Sequence, residues 1–358
     1  MADADSLGGV TAEEVAALAE AIGVPADAGA SLLARFSRRV ADLIATRQAK
    51  GESGQYAVFL QSDEVSAHAQ RCKHVEAPLL ANGADPISDA VWLATSNLML
   101  SFRLCLAWSD QASLFDAIRG VGLGHIPAIV VDFRGQVPIG RLYRSGLDNA
   151  HVADDIALDD SPITPAQMKT ALDRFYEASL RTPLLISEGH AMKVWKDAGR
   201  GIPEHRPEER IQGRLLDSLR GVFSRHDLRA EPVTDDGRAD IVISRKTTTK
   251  GNLPAVIHEW VLELKALADM TSTGNPSTTD IPAAIRSGLE QALAYKQRLN
   301  ALCAALCCYD MRADDCGDTA CFAHIASDAA ASGLPLWRWY MFRSTAAGRG
   351  ANKHVMAG

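Results

Sequence analysis

Ala255-Val256-Ile257-His258-Glu259-Trp260-Val261-Leu262-Glu263-Leu264-Lys265 is the stretch whose reading decides the fold. Its β-branched and apolar content predicts a strand. With Ile241-Val242-Ile243-Ser244 before it, across a polar segment from Lys246 to Pro254, it predicts an antiparallel hairpin. A turn centred on Gly251-Asn252 sets a register in which Asp240, at the end of Gly237-Arg238-Ala239-Asp240, lies opposite Glu263. Because side chains alternate along a strand, Lys265 shares the face of Glu263, while Ile241, Ile243, Leu262 and Leu264 take the opposite face and build a core.

Two carboxylates facing each other at close range repel unless a cation lies between them, and oxygen donors suit Mg²⁺ or Mn²⁺. Such an ion polarises a phosphoryl oxygen and lowers the pKa of water. Lys265 is placed to orient the attacking water or to balance charge. A Glu-x-Lys triplet is common by chance in a chain of this length, so the weight falls on the conjunction of an acid leading one strand and the triplet ending the next.

Two helices flank this hairpin in the sequence. From Pro207 onward, apolar residues at 211, 215, 216, 219 and 222 have helical spacing, and Glu208 and Glu209 occupy the first turn. Acids there complement the helix dipole, so these two are candidates for the site or simple helix chemistry; Glu209 is slightly favoured for the site. Asp280-Ile281-Pro282 opens a second helix running to Leu299, on which Gln291 and Tyr295 lie four residues apart and share a face. Ala304 to Tyr309 and Pro335 to Phe342 read as further strands. Between the catalytic strand and the second helix, Asp269 to Thr279 is rich in turn residues and is a candidate substrate-facing loop.

The order helix acid, strand acid, strand Glu-x-Lys and helix Gln-x-x-x-Tyr resembles the PD-(D/E)xK nuclease superfamily, and its last element resembles the RecB-like branch. The likeness spans roughly residues 203–343. It implies a restriction-endonuclease-like core, a mixed central sheet flanked by helices. It also implies metal ligation by Asp240, Glu263 and the backbone carbonyl of Leu264, with catalytic support from Lys265, Glu208 or Glu209, Gln291 and Tyr295. The activity implied is Mg²⁺- or Mn²⁺-dependent hydrolysis of DNA phosphodiesters. RNA cleavage by the same site and a non-catalytic scaffold for a partner such as a helicase-like ATPase are the alternatives, as the chain has no Walker motif. A nuclease joined to a second module would suit a bacterial anti-phage or restriction effector, and a homo-oligomer is compatible with that role.

The chain of 358 residues exceeds a usual single core, so the expectation is an α/β protein in two parts. These are a mixed α/β N-terminal domain over residues 1–200, whose role is sensing, target selection or assembly, and a nuclease-like domain over 201–345, with 346–358 as a flexible tail. Gly201, Pro203 and Pro207 mark the linker. A net charge of −7 excludes a uniformly basic surface. Nucleic-acid contact would need a local patch, for which Arg206, Arg210, Arg214, Arg238, Arg245, Lys246, Lys250, Arg343, Arg349 and Lys353 are available.

The acidic start, Met1-Ala2-Asp3-Ala4-Asp5, lacks signal-sequence character, and the expected location is the cytoplasm. Seven cysteines are then expected to be reduced, and Cys316, Cys321 and His324, without a Cys-x-x-Cys, make a weak metal motif. The apolar run from Ala90 to Trp108 contains Asn97 and Arg103 and reads as a buried helix rather than a membrane span. Earlier, Thr11-Ala12-Glu13-Glu14 reads as a capping-box helix start and Pro25 to Lys50 as a longer helix. Tyr56 to Leu60 reads as a strand, and His125 to Phe133 with Val137 to Tyr143 as a hairpin. An acidic loop containing Asp154, Asp155, Asp159 and Asp160 leads to a helix over Pro165 to Leu180. Gly120-Val121-Gly122-Leu123-Gly124 precedes a strand, the wrong side for a dinucleotide loop.

Overall fold

The computed structural model describes residues 31–83, 85–183, 193–230, 240–248 and 254–355. The protein is α/β, with two mixed sheets, each covered by helices. The expected helix at Thr11 lies outside the described residues, as does the Gly251-Asn252 turn.

The N-terminal sheet has strands β1 (Tyr56–Gln61), β2 (His74–Glu76), β3 (Ala90–Ala94), β4 (Ser101–Leu104), β5 (Ala128–Asp132), β6 (Ile139–Tyr143) and β7 (Asp154–Ile156), in the order β2-β4-β3-β1-β5-β6-β7. Only β1 and β3 pair parallel. The Leu32–Gln48 helix buries Phe36, Val40 and Ile44 on one face of the sheet, and the Gln111–Gly120 helix buries Leu114 and Ile118 on the other. The run from Ala90 to Trp108 is therefore the β3–β4 hairpin and not a helix. The apolar residues of its two strands are buried on both faces of a sheet, which gives a hydrophobic run with no helical period. Asp154 and Asp155, expected in a loop, belong to edge strand β7.

The second sheet comprises β10 (Asp227–Arg229), β11 (Ile241–Thr248), β12 (Pro254–Leu267), β13 (Cys303–Asp310) and β14 (Leu336–Tyr340), in that order. The first three strands are antiparallel and the last three parallel. Ile241, Ile243, Leu262 and Leu264 lie in one core with the Pro165–Ser179 and Pro207–Val222 helices, as alternation requires. On the other face Val242, Val261 and Leu267 pack with Ile285, Leu289 and Ala292 of the Ile281–Arg298 helix. Asp280 caps that helix by accepting the N–H of Ala283 at 3.2 Å, and Pro282 lies in its first turn, where no intrahelical donor is lost.

Two boundaries differ from the sequence expectation. Gly201 and Pro203 are no free linker: β8 (Trp195–Asp197) pairs with β9 (Ile202–Pro203), and Pro207 begins a helix. The change of core comes earlier, because Ile163, Met168, Leu172 and Phe175 pack into the C-terminal core. Ile163 is pinned there from both sides of its peptide: its N–H donates to Glu259 at 3.0 Å, and its carbonyl accepts from the Trp260 indole at 2.9 Å. Residues 346–355, expected as a tail, belong to the Thr345–Val355 helix, and Arg181 donates to the Gly348 carbonyl at 3.1 Å. No helix among the described residues is long and apolar enough to cross a membrane.

Candidate metal centre at the end of the β11–β12 hairpin

Ile241 pairs with Leu262, so Asp240, one residue earlier, falls against Glu263. The expected register holds at the acids by a different route. Pairs nearest the turn, such as Thr247 with Ala255, are centred on residue 251, and a bulge at Ile243/Ser244 leaves Glu259 without an opposite residue and shifts the register by one. Glu259 uses that irregular position to hold Arg245 at 2.5 Å, with His226 at 3.4 Å, in a buried pocket.

Strand β12 outruns β11, and its exposed edge would leave backbone donors unpaired. Carboxylates fill the gap. Leu264 N–H donates to Asp240 Oδ2 at 2.8 Å, and two residues on Ala266 N–H donates to Glu208 Oε2 at 3.1 Å. Two acids from separate elements are thereby lined up along one strand edge. Gln212, one turn after Glu208, donates its amide to the Asp240 carbonyl and fixes the start of β11.

On the adjoining face, Lys265 Nζ donates to Glu263 Oε1 at 2.7 Å and to Gln291 Oε1 at 3.0 Å. Tyr295, one turn beyond Gln291, is buried with its hydroxyl lacking a hydrogen-bond partner. Gly288 makes this approach possible. A Cβ there would meet Leu306 Cδ1 at 2.8 Å and Lys265 Cε at 2.9 Å, so only glycine lets the lysine lie across the helix.

The electrostatics follow from burial. Glu263 is 2% exposed, and desolvation, with Asp240 and Glu208 adding repulsion, pushes its carboxyl up to about 8 against the pull of Lys265. Burial works against the charged form of Lys265, but Glu263, Glu208 and Asp240 outweigh it and raise its pKa. Desolvation raises Tyr295 as well, and the charge of Glu263 adds to it.

Of the residues singled out by sequence, Asp240, Glu263, Leu264, Lys265, Gln291, Tyr295 and Glu208 come together. Glu209 does not. It pairs with Arg206 at 3.1 Å on the surface, so the preference for Glu209 is corrected in favour of Glu208, the acid one position earlier, which faces the sheet edge. Gln212 and Gly288 were missed. Gln212 carries a signal in retrospect, being an amide among the apolar positions 211, 215, 216 and 219, and Gly288 sits beside Leu289 on the buried side of its helix.

The donor set suits a hard divalent cation: two or three carboxylates, a backbone carbonyl at Leu264, and Glu263 Oε2 buried without a hydrogen-bond partner among the described residues. A second group, Asp310, Cys316 and Cys321, also has its ligand atoms within 4.8 Å of one another. There the Arg312 guanidinium already donates to Asp310 at 2.6 Å, to Cys316 Sγ at 3.3 Å and to Cys321 Sγ at 3.4 Å, and Arg338 donates to Asp310 at 2.7 Å. Cations of the protein hold this group, which disfavours a metal. His324 lies apart, on the Pro282 carbonyl.

The expected basic patch is neutralised in part. Arg206, Arg210, Arg245 and Arg343 pair with Glu209, Glu204, Glu259 and Asp269, and Arg238 and Lys250 lie outside the described residues. The Asp269–Thr279 segment forms a compact turn, with Thr271 N–H on the Asn275 carbonyl at 2.8 Å, and Lys196 reaches its Ser272 carbonyl at 3.2 Å.

No protein-family model, curated protein or solved structure matches the chain.

Proposed function

We propose that the protein is a Mg²⁺- or Mn²⁺-dependent nuclease of the PD-(D/E)xK kind that hydrolyses DNA phosphodiester bonds. The observation that supports this best is the convergence of Asp240, Glu263, Lys265, Glu208 and Gln291 on one strand end, with a buried carboxylate oxygen of Glu263 lacking a partner. Asp240, Glu263 and the Leu264 carbonyl would hold the ion, with Glu208 as an outer acid. A divalent ion there supplies Lewis acidity at a phosphoryl oxygen and charge compensation for the transition state.

The chain's own groups do the rest. Lys265, its ammonium fixed by Glu263 and Gln291, is held charged and stands beside the scissile phosphate to orient water and offset negative charge. Gln291 accepts from the lysine ammonium at 3.0 Å and so helps to position it, and the tyrosine hydroxyl of Tyr295 offers a further donor from the same helix face. Asp240, through Leu264 N–H, ties the ligand set to the strand edge, so the donors are held in place before substrate arrives. In this reading the protein works in the cytoplasm, as a defence effector in which the N-terminal sheet directs or gates cutting, alone, as an oligomer or with a helicase-like partner.

The test is incubation with plasmid, linear DNA and RNA, with and without Mg²⁺, alongside Asp240→Ala and Lys265→Ala. DNA cleavage that requires Mg²⁺ and is lost in both variants supports the assignment. Cleavage that survives both substitutions refutes it, and activity on RNA alone moves the substrate class.

A further inference from the structure

A cleft of about 290 Å³ opens between the Pro165–Ser179 helix, the Pro207–Val222 helix and the edge of the N-terminal sheet. Arg144, Arg174 and Arg214 line it. Two of these guanidiniums have carboxylate partners: Arg144 binds Asp154 at 2.7 Å, and Arg174 binds Asp155 at 2.9 Å. Arg214 has none. Its Nη1 is buried without a hydrogen-bond partner among the described residues, and burial lowers its pKa. Asp217, one turn further along the helix and also in the cleft, accepts the N–H of Ser31 at 3.0 Å.

Arg214 is half-buried, and a guanidinium with a buried nitrogen left unpaired carries a desolvation cost that an anion in the cleft would offset. Arginine offers a planar fork that matches phosphate oxygens, and Ser179 and Ser218 add hydroxyls to the same lining. The cleft continues into a larger one of about 710 Å³ that shares Arg144, Asp154 and Arg174 and is flanked by Leu142, Asn149 and Val152. That is the size of a site for a small organic ligand.

We propose that this cleft binds a small phosphate-bearing molecule of nucleotide size, with its phosphate on Arg214 between Arg144 and Arg174 and its body in the adjoining cleft. The site is distinct from the acid cluster, because Glu208 and Gln212 reach the β11–β12 end whereas Arg214, Asp217 and Ser218 line the cleft. One helix thus carries both, and occupancy of the cleft is placed to reach the acid site through it.

The test is calorimetric titration and thermal unfolding of the full chain in EDTA, with inorganic phosphate, adenosine 5′-monophosphate and guanosine 5′-monophosphate as probes and sodium sulfate as an ionic control. The expected result is saturable binding of a nucleotide at least tenfold tighter than of phosphate or sulfate, weakened at least tenfold in Arg214→Gln and also weakened in Arg174→Gln. Arg214→Gln removes a half-buried charge that has no carboxylate partner among the described residues and is expected to fold with an unchanged or higher Tm. No saturable binding, or binding unchanged in both variants, would overturn the site. Phosphate binding as tightly as the nucleotides would overturn the nucleotide-sized occupant. Repeating the titration on Asp240→Ala keeps this outcome separate from that of the nuclease assignment, since the cleft is expected to bind equally well there.

Discussion

Asp240 and Leu264 are joined by a 2.8 Å hydrogen bond from the leucine N–H to Asp240 Oδ2, so the first acid of the site also finishes the open edge of the strand that carries the second. The same device recurs with Glu208 on Ala266 N–H at 3.1 Å. Each carboxylate therefore has a folding role beside the chemical one proposed for it, which sets how substitutions there should behave.

Glu208 and Glu209 separate cleanly. Glu208→Gln keeps an acceptor for Ala266 but loses the charge beside Glu263. It is expected to lower Mg²⁺-dependent cleavage by about 10²-fold, the scale on which one preorganised electrostatic group acts. Glu209→Gln breaks only a surface pair with Arg206, worth about 0–1 kcal/mol, and should leave the rate near wild type. Initial rates on one DNA substrate decide this, and equal loss in both variants would contradict the placement of Glu208.

Glu263 makes the metal-free protein less stable as pH rises from about 4.5 to about 8. Its carboxyl sits at about 8 in the fold against 4.5 ordinarily, so its protonated form is favoured by folding. That contribution is fully present below about pH 4.5 and is lost as pH rises through about 8. Urea unfolding in EDTA should show stability falling by roughly 2–4 kcal/mol across that window, with the slope removed in Glu263→Gln. Saturating Mg²⁺ should restore stability at the alkaline end. A flat profile in EDTA would mean that the carboxylate is already compensated.

Gly288→Ala tests the approach of Lys265 to its helix. In an open helix this change stabilises by about 0.5–1 kcal/mol. Here the new methyl would stand 2.8 Å from Leu306 Cδ1 and 2.9 Å from Lys265 Cε, and overpacking of that kind costs about 1–3 kcal/mol. The net expectation is destabilisation of about 1–2 kcal/mol, with a loss of cleavage larger than the stability change explains. Denaturant midpoints and rates on the same preparation check both.

Asp310 anchors the far end of the parallel strands. Its side chain is fully buried and accepts from Arg312 and Arg338, which keep its pKa low against the opposing effect of burial. Asp310→Asn leaves Arg312 without its carboxylate, while Arg338 keeps Asp315 at 2.6 Å and Asp318 at 3.3 Å, and should cost about 3 kcal/mol. The stability that Asp310 gives is present above its ordinary carboxylate range and lost as pH falls through its depressed folded value. The variant should therefore lose part of the acid sensitivity of the wild type, which unfolding curves at low pH would show.

The hairpin and its chemistry were legible in the sequence because they depend on period two. Alternation alone puts Ile241, Ile243, Leu262 and Leu264 on one side and Glu263 with Lys265 on the other. The helix spacing from Gln291 to Tyr295 was equally local. Alternation failed at Ala90 to Trp108, where burial on both faces erased the period and a hairpin passed for a helix. It also could not foresee the bulge at Glu259, whose side chain is recruited by Arg245 and the distant Ile163 N–H.

What the sequence determined by itself was therefore the set of chemical groups and the face on which each stands, since these follow from backbone geometry over a few residues. Tertiary structure decided which helix acid reaches the site, because only the length by which β12 overruns β11 exposes the N–H that Glu208 fills. It decided too that the Pro165–Ser179 helix joins the C-terminal core, and that the Nη1 of half-buried Arg214 has no partner among the described residues. Burial and edge exposure arise from contacts between residues far apart in the chain, and no local pattern encodes them.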